Sequence, residues 1–211
     1  DNLDLGISEA FTPGLGFGGK ASGTIVATLP AGNALPQAEA RLAISGFTRT
    51  AAATVSTPVD IATRARLDGS GADVAAIIRR GSTVIGRLQA RMTPTTQAGG
   101  WSERLMSAAL TGGIRYNGPA EVPWTLTGIA GQTLRGPIAI AADFGGRVDR
   151  PTLSGIARSS GLAYTNQAFG TRINDIRMDG RFTETRLDIT SLTGRAGEGT
   201  DYDIAQAVRY A

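Results

Sequence analysis

The stretch that decides the fold is RGPIAIAADFGGRVDRPTLSGIARSSGLAYTNQAFGTRINDIRMDGRFTETRLDITSLTGRAGEG, from Arg135 to Gly199. Apolar residues alternate with small or charged ones from Ile138 to Phe144, so one side of an extended segment is apolar. A period of two is typical of a strand with one face shielded from water. The alternation returns from Arg186 to Thr190. We interpret the stretch as a row of short strands joined by small turns and punctuated by glycines.

The same alternation continues upstream through most of the first hundred residues. It is clearest from Val59 to Asp68, where Val59, Ile61 and Leu67 face one way and arginines and aspartates face the other. Further strands are predicted from Leu3 to Ile7, from Lys20 to Leu29, from Pro36 to Phe47, from Val74 to Ile78, from Val84 to Met92, from Ile114 to Tyr116, from Val122 to Leu126 and from Gln132 to Gly136. Short turns between successive strands predict antiparallel pairing.

Two places depart from this rule. Residues Ser102 to Leu110 have helical spacing, with Leu105 apolar and Arg104 facing outward, and Gly112 and Gly113 follow. We predict one short amphipathic helix there, capping a sheet edge or filling one end of a core. Near the end of the chain Leu192 is out of phase with the preceding alternation, which predicts a bulge or a strand end near Thr190 and Ser191.

Composition excludes several classes of chemistry. The 211 residues include no cysteine and no histidine, which removes disulfides, thiolate nucleophiles, metal sites built on either residue and catalytic triads with histidine. The net charge is only +3, and the basic doublet Arg79-Arg80 has no aromatic neighbours, so we expect no nucleic-acid binding. No apolar run reaches the length of a transmembrane helix.

A glycine-rich loop precedes one of the strands. Gly14, Gly16 and Gly19 fit the spacing of a dinucleotide-binding loop, and Lys20 adds part of a phosphate-loop pattern. Ala21 stands where that pattern needs Ser or Thr, and the next residues alternate as a strand instead of forming the helix that a phosphate site requires. We therefore interpret the loop as a turn and expect no cofactor.

Several strings in the second half of the chain resemble the C-terminal region of the TamB family, the translocation and assembly module subunit of diderm bacteria. They are GPIAIAADFGGRVDRPTLSG, LAYTNQAFGTRINDI and RFTETRLDITSLTGRAGEGT, with weaker matches from Trp101 to Ala120 and from Trp124 to Leu126. The tail from Asp201 to Ala211 departs from the family pattern. The resemblance implies a long β-rich trough in the periplasm, part of a protein anchored in the inner membrane outside this segment.

The resemblance also implies partners. Proteins similar to TamB work with an outer-membrane protein of the Omp85 type (TamA-like) and are implicated in phospholipid movement and outer-membrane protein assembly. We therefore expect phospholipid acyl chains as ligands, and outer-membrane proteins as possible clients. The apolar strand residues expected to line the lipid groove are Val122, Trp124, Leu126, Ile138, Ile140, Phe144, Leu162, Tyr164, Leu187 and Ile189.

The fold class predicted from these patterns is all-β and mainly antiparallel. A long curved sheet folded into an open apolar trough is favoured slightly over a closed β-sandwich, because small aliphatic residues outnumber the bulky rings that a wide core needs. We expect 1–211 to form one elongated segment of a longer protein, since the chain lacks an initial Met, with a subdivision at 1–96 and 97–211.

Two other functions are compatible with the sequence. A chaperone-like scaffold would pair an exposed edge strand with a client strand by β-augmentation. A polysaccharide hydrolase would need a pair of carboxylates, for which Asp143 with Asp149, or Asp175 with Asp179, are candidates. Aspartates on turns mostly bond their own backbone or water, and no cluster converges on a pocket, so we expect no enzymatic activity.

Overall fold

The structure is a computed structural model that describes residues 3–10, 14, 16–30, 32, 34–51, 54–127, 129–196 and 200–202. Most of them belong to strands. The strands are β1 (Leu3–Asp4), β2 (Phe17–Thr28), β3 (Gln37–Ala51), β4 (Thr54–Val55), β5 (Val59–Asp68), β6 (Gly71–Arg80), β7 (Thr83–Thr93), β8 (Ala109–Pro119), β9 (Gln132–Arg135), β10 (Pro137–Arg147), β11 (Arg150–Asn166), β12 (Thr171–Thr183), β13 (Leu187–Ala196) and β14 (Thr200–Tyr202). The helices are α1 (Trp101–Met106), α2 (Glu121–Leu126) and a 3-10 segment (Leu5–Ala10).

All the strands belong to one sheet, and every pairing in it is antiparallel. The hydrogen-bonded path runs β1-β2-β3-β5-β6-β7-β8-β10-β11-β12-β13-β14, with β4 beside β3 and β9 beside β11. Its two ends, β1 and β14, do not pair with each other among the described strands. The predicted all-β, antiparallel and open architecture is confirmed. No second sheet faces the first in the described residues, so the sandwich alternative is wrong for this part of the chain.

The strand register separates two faces. Ile140 on β10 lies opposite Tyr116 on β8 and Ala157 on β11, and the same phase continues across the sheet. We call the resulting surface the inner face. It consists of Ala21, Gly23, Ile25, Ala27, Ala38, Ala40, Leu42, Ile44, Ile61, Thr63, Ala65, Leu67, Ala72, Val74, Ala76, Ile78, Gly86, Leu88, Ala90, Met92, Leu110, Gly112, Ile114, Tyr116, Gly118, Ile138, Ile140, Ala142, Phe144, Leu153, Gly155, Ala157, Ser159, Met178, Gly180, Phe182, Leu187, Ile189 and Leu192. None of these side chains carries a charge.

Glycines on the inner face lie opposite large apolar side chains. Gly112 pairs with Phe144, and Gly155 pairs with Phe182. A methyl group on Gly155 would stand 2.5 Å from Cζ of Phe182 and 2.6 Å from the carbonyl oxygen of Ala141. The large side chains therefore lie across the neighbouring strand, where a Cβ would obstruct them.

This arrangement corrects the predicted row of short strands. Glycines were interpreted as punctuation between strands, but β11 passes through Gly161 and β12 passes through Gly180. The alternation from Ile138 to Phe144 predicted a strand, and β10 continues beyond it through Gly145 and Gly146 to Arg147. The four strands β10 to β13 are 11, 17, 13 and 10 residues long.

Bulges keep the apolar residues on the inner face where the alternation slips. The register shifts between Ile44 and Phe47 on β3. It also shifts between Asp179 and Gly180 on β12, where Thr190 of the partner strand β13 has no residue opposite it. One extra residue in a strand lets apolar side chains three positions apart point the same way, and it increases the local twist. The bulge predicted near Thr190 is confirmed, and it places Leu192 on the same face as Ile189.

The segment predicted as a strand from Val122 to Leu126 is helix α2, so that prediction is wrong. The core cluster consists of Val59, Ile85, Tyr116, Ala120, Val122, Ile138, Leu162 and Ile176. Val122 is only 2% exposed, because α2 lies against the inner face at the end of the sheet where β8 ends and β10 begins. The burial of one face of this short helix therefore determines the local structure, although the five alternating residues predicted a strand.

Two other predictions need correction. Helix α1 ends at Met106, and Gly112 and Gly113 lie inside β8. Arg104, predicted to face outward, is buried; its side chain donates hydrogen bonds to the carbonyl oxygen of Thr96 at 3.3 Å and to Oε1 of Gln97 at 2.6 Å. The strand predicted from Leu3 to Ile7 is limited to β1, and the 3-10 segment follows it.

Replacing Gly155 by alanine should destabilise the fold by about 1–3 kcal/mol, the usual cost of overpacking a well-packed site. Gly161→Ala is the matched control on the same strand, because a Cβ there meets nothing within 4 Å. We expect the control to be neutral or slightly stabilising. Urea unfolding followed by tryptophan fluorescence measures both variants. Equal free energies of unfolding for both variants would contradict the proposed close approach of Phe182.

Candidate functional site: the open inner face

Among the residues that the structure describes, the inner face is covered at one end and accessible toward the outer strands. Beneath α2, Leu162 is 3% exposed and Ile138 is 9% exposed. Toward the outer strands of the sheet the same apolar phase becomes accessible, with Ile25 on β2 at 68% and Leu187 on β13 at 59%. Most inner-face residues on the strands between them are partly buried. This gradient fits a curved sheet with β2 and β13 at its two open edges.

Contacts of α2 with strands far apart in the sheet demonstrate the curvature. The Trp124 ring packs edge-on against Tyr164 of β11, with ring centroids 6.4 Å apart. The carbonyl oxygen of Leu126 accepts a hydrogen bond from the Arg49 side chain of β3. β3 and β11 are six steps apart along the sheet path, about 29 Å if flat, whereas a six-residue helix is about 9 Å long. The sheet therefore curls around α2, and the inner face is the concave side.

The chemistry of the inner face is almost wholly apolar. Its polar side-chain groups are the hydroxyls of Thr63, Ser159 and Tyr116. The Tyr116 hydroxyl donates a hydrogen bond to the carbonyl oxygen of Pro119 at 2.6 Å, so it is occupied within the protein. An apolar surface of this kind holds apolar ligands through the removal of water, at about 25 cal/mol per Å² buried, and offers few groups that would select a polar ligand.

Burial, and after it the nearby Glu121 carboxylate, raise the pKa of Tyr116 to about 12, while Arg80 acts in the opposite direction. The phenol therefore remains neutral in the folded chain at pH values where an exposed tyrosine ionises. The group belongs to the covered end of the inner face, next to α2.

The ten groove residues predicted from the sequence divide into three groups. Val122, Ile138 and Leu162 are core residues beneath or within α2. Trp124, Leu126, Ile140 and Tyr164 are partly buried in or near the same cluster. Phe144, Leu187 and Ile189 lie on the open inner face, Ile189 being 42% exposed. The structure thus brings the ten onto one side of the sheet, although Val122, Trp124 and Leu126 are on a helix.

Most of the open surface comes from strands outside the predicted set. Leu88 and Ala90 on β7, Val74 on β6 and Ile114 on β8 are partly exposed on the same face. Their signal was the period-two alternation of their strands. Val74, Leu88 and Ala90 were missed because the resemblance that suggested a groove covers only the second half of the chain, and Ile114 lies in one of its weaker matches.

The carboxylates proposed as alternative catalytic pairs lie on the other, outer face or on turns. Asp143 pairs with Arg115 at 2.6 Å, and Asp179 pairs with Arg158 at 3.0 Å. Asp149 pairs with Arg147 at 2.9 Å and Asp175 with Arg195 at 3.7 Å. Within the described ranges no group of three or more metal-ligating residues is found.

The sequence matches no protein-family profile, no curated protein and no solved structure. None of the helices in the described part of the chain is both long and apolar enough to cross a membrane.

We expect the folded state to lose stability between about pH 10 and about pH 12 in a way that depends on Tyr116. The unfolded tyrosine releases its proton near pH 10 and the folded one near pH 12, so the unfolded state binds fewer protons in this window and stability falls as pH rises. The loss should approach about 1.4 kcal/mol per pKa unit.

The comparison is between wild type and Tyr116→Phe, by denaturant unfolding at about pH 8 and about pH 11. The variant should be less stable at the lower pH by about 1 kcal/mol, because it lacks the hydrogen bond to Pro119. Its further loss at the higher pH should be smaller than that of the wild type. Equal losses in both proteins would show that Tyr116 does not titrate as described.

Proposed function

We propose that this chain is a non-enzymatic segment of a lipid conduit, and that it binds phospholipid acyl chains along the open inner face. One observation carries the proposal: ten consecutive strands of the path, β2 to β13, present an uncharged apolar phase on the concave side of an open sheet. Nine steps between these strands span about 43 Å. A surface of this extent suits long flexible apolar chains better than a compact polar ligand.

The energetics support acyl chains as the ligand. Each buried methylene contributes about 0.8 kcal/mol, so about a dozen methylenes contribute on the order of 10 kcal/mol before the cost of immobilising the chain. No charged group on the inner face could pair with a phosphate. The head group therefore remains in water at the mouth of the trough, and the proposed binding does not discriminate strongly between head groups.

The cellular setting follows from the resemblance to the TamB family. We propose a periplasmic location, as part of a protein anchored in the inner membrane and joined to an Omp85-type partner in the outer membrane. An open apolar trough supports this setting, because acyl chains need shielding from water wherever they cross an aqueous compartment.

The test compares two neighbouring positions on β7 that face opposite ways. Ala90 is on the inner face, and Gln89 is exposed on the outer face. Wild type, Ala90→Arg and Gln89→Arg are purified from a diderm host, and bound phospholipid is quantified by mass spectrometry after extraction. We expect lipid on the wild type and on Gln89→Arg, and at least about fivefold less on Ala90→Arg, because a guanidinium buried among acyl chains is costly.

Circular dichroism and urea unfolding confirm that both variants are folded. Wild type free of phospholipid, or equal lipid on both arginine variants, would contradict the proposed lipid site.

A chaperone-like scaffold is the second candidate function. It is favoured by the unpaired edges of β2 and β13. β1 pairs only with Lys20 and Ala21, so β2 from Ser22 to Thr28 has no partner on that side among the described strands. β14 pairs only with residues from Gly194 to Ala196, which leaves the start of β13 free on its outer side among the described strands. Unpaired backbone groups of this kind accept an additional strand.

The two candidates differ in where a client protein would crosslink. A photo-crosslinking residue at Thr24, on the free edge of β2, should capture an unfolded outer-membrane protein if strand addition occurs. The same residue at Ala65, on the inner face of a central strand, should capture lipid but no protein. Client capture at Ala65 alone would contradict the edge mechanism.

A further inference from the structure

The outer face of the sheet carries a groove that the lipid site does not use. It has a volume of about 450 Å³ and crosses five neighbouring strands from β2 to β7. Nine of its fourteen lining residues belong to the outer face; the other five lie between them along the strands and are Gly23, Leu42, Thr63, Ala76 and Leu88 of the inner face. Its floor consists of the small or apolar side chains of Ala43, Ala62, Ala75 and Ile77. Three arginines line it: Arg41, Arg64 and Arg87.

Some outer-face arginines have an ion-pair partner, and others, among them these three and Arg177 and Arg181, have none in the described part of the chain. Arg66, Arg115 and Arg158 each have an aspartate partner, at 3.2, 2.6 and 3.0 Å. Arg41, Arg64 and Arg87 form no ion pair or hydrogen bond with any residue that the structure describes, and no acidic residue lines the groove.

The register adds an electrostatic cost. Arg41 and Arg64 lie directly opposite each other on neighbouring strands. Like charges in that arrangement are destabilising. An anion bound between them would relieve the repulsion, and guanidinium groups bind carboxylates through two parallel hydrogen bonds.

The shape of the groove favours a peptide over a lipid. Four side chains of its floor offer too little apolar surface to cover an acyl chain, but they suit one or two small apolar side chains. Four steps between its five strands span about 19 Å, which an extended peptide of about six residues fills at about 3.3 Å per residue.

We propose that this groove binds an acidic peptide segment in extended conformation. Its carboxylates contact Arg41, Arg64 and Arg87, and an apolar side chain between them rests on Ala62 and Ile77. Because the groove and the trough lie on opposite faces of the same sheet, a protein partner can dock while the inner face holds its ligand.

The probe is a fluorescein-labelled heptapeptide of alternating Glu and Leu, and binding is measured by fluorescence anisotropy. We expect Arg41→Gln/Arg64→Gln to weaken binding at least about tenfold, and binding to the wild type to fall steeply with added salt. The matched control is Arg177→Gln/Arg181→Gln, which removes two exposed outer-face arginines on β12 far from the groove. The control should bind as the wild type does.

A second variant tests the floor without changing the charge. Ala62 is exposed on the outer face, so Ala62→Trp should fill the groove, leave the fold intact and weaken peptide binding. Equal losses in the groove and control arginine variants would overturn the proposal, since binding would then reflect net charge alone. Binding to phosphatidylglycerol vesicles without peptide binding would also overturn it and would identify an anionic membrane surface instead.

Discussion

The structure depends on the alternation of side chains along an extended strand. Successive residues of a strand point to opposite faces, so a slip of one residue in pairing moves every apolar side chain to the wrong side. Ten long strands meet this condition together, with Ile140 beside Tyr116 and Ala157 as one example. Bulges at Gly46 and Thr190 restore the phase where the alternation breaks. One uncharged face results, and α2 covers part of it.

Curvature follows from glycine placement as much as from the bulges. A concave sheet crowds the Cβ atoms of its inner face, and a glycine opposite a large side chain removes one of them. Gly112 beneath Phe144 and Gly155 beneath Phe182 show this arrangement. The aromatic side chains then cover the neighbouring strand, where they leave space above the sheet for a ligand. The charged outer face stabilises the same strands mainly through exposed ion pairs, each contributing little.

The sequence predicted the fold class well and its details less well. Val59 to Asp68 was predicted as a strand and is β5, because its ten residues alternate without interruption. Val122 to Leu126 alternates over only five residues, too few to tell a strand from one helical turn, and packing against the core decided for α2. Gly180 was interpreted as punctuation between short strands, since local rules cannot reveal that β11 and β13 pair with the chain on both sides of it. The sequence predicted that the inner face would be apolar. It did not predict how far the face extends, because that depends on pairing between strands that are distant in the sequence.

We propose that the concave apolar face is an open site for acyl chains. The most direct measurement uses single cysteines, which the chain otherwise lacks, at Ala90→Cys and Gln89→Cys, each labelled with bimane. Phospholipid with a nitroxide on its acyl chain is then added, and quenching is recorded at both sites. We expect strong quenching at position 90 and little at position 89, because acyl chains bound to the inner face contact only position 90. Equal quenching at the two positions, or none at position 90, would contradict it.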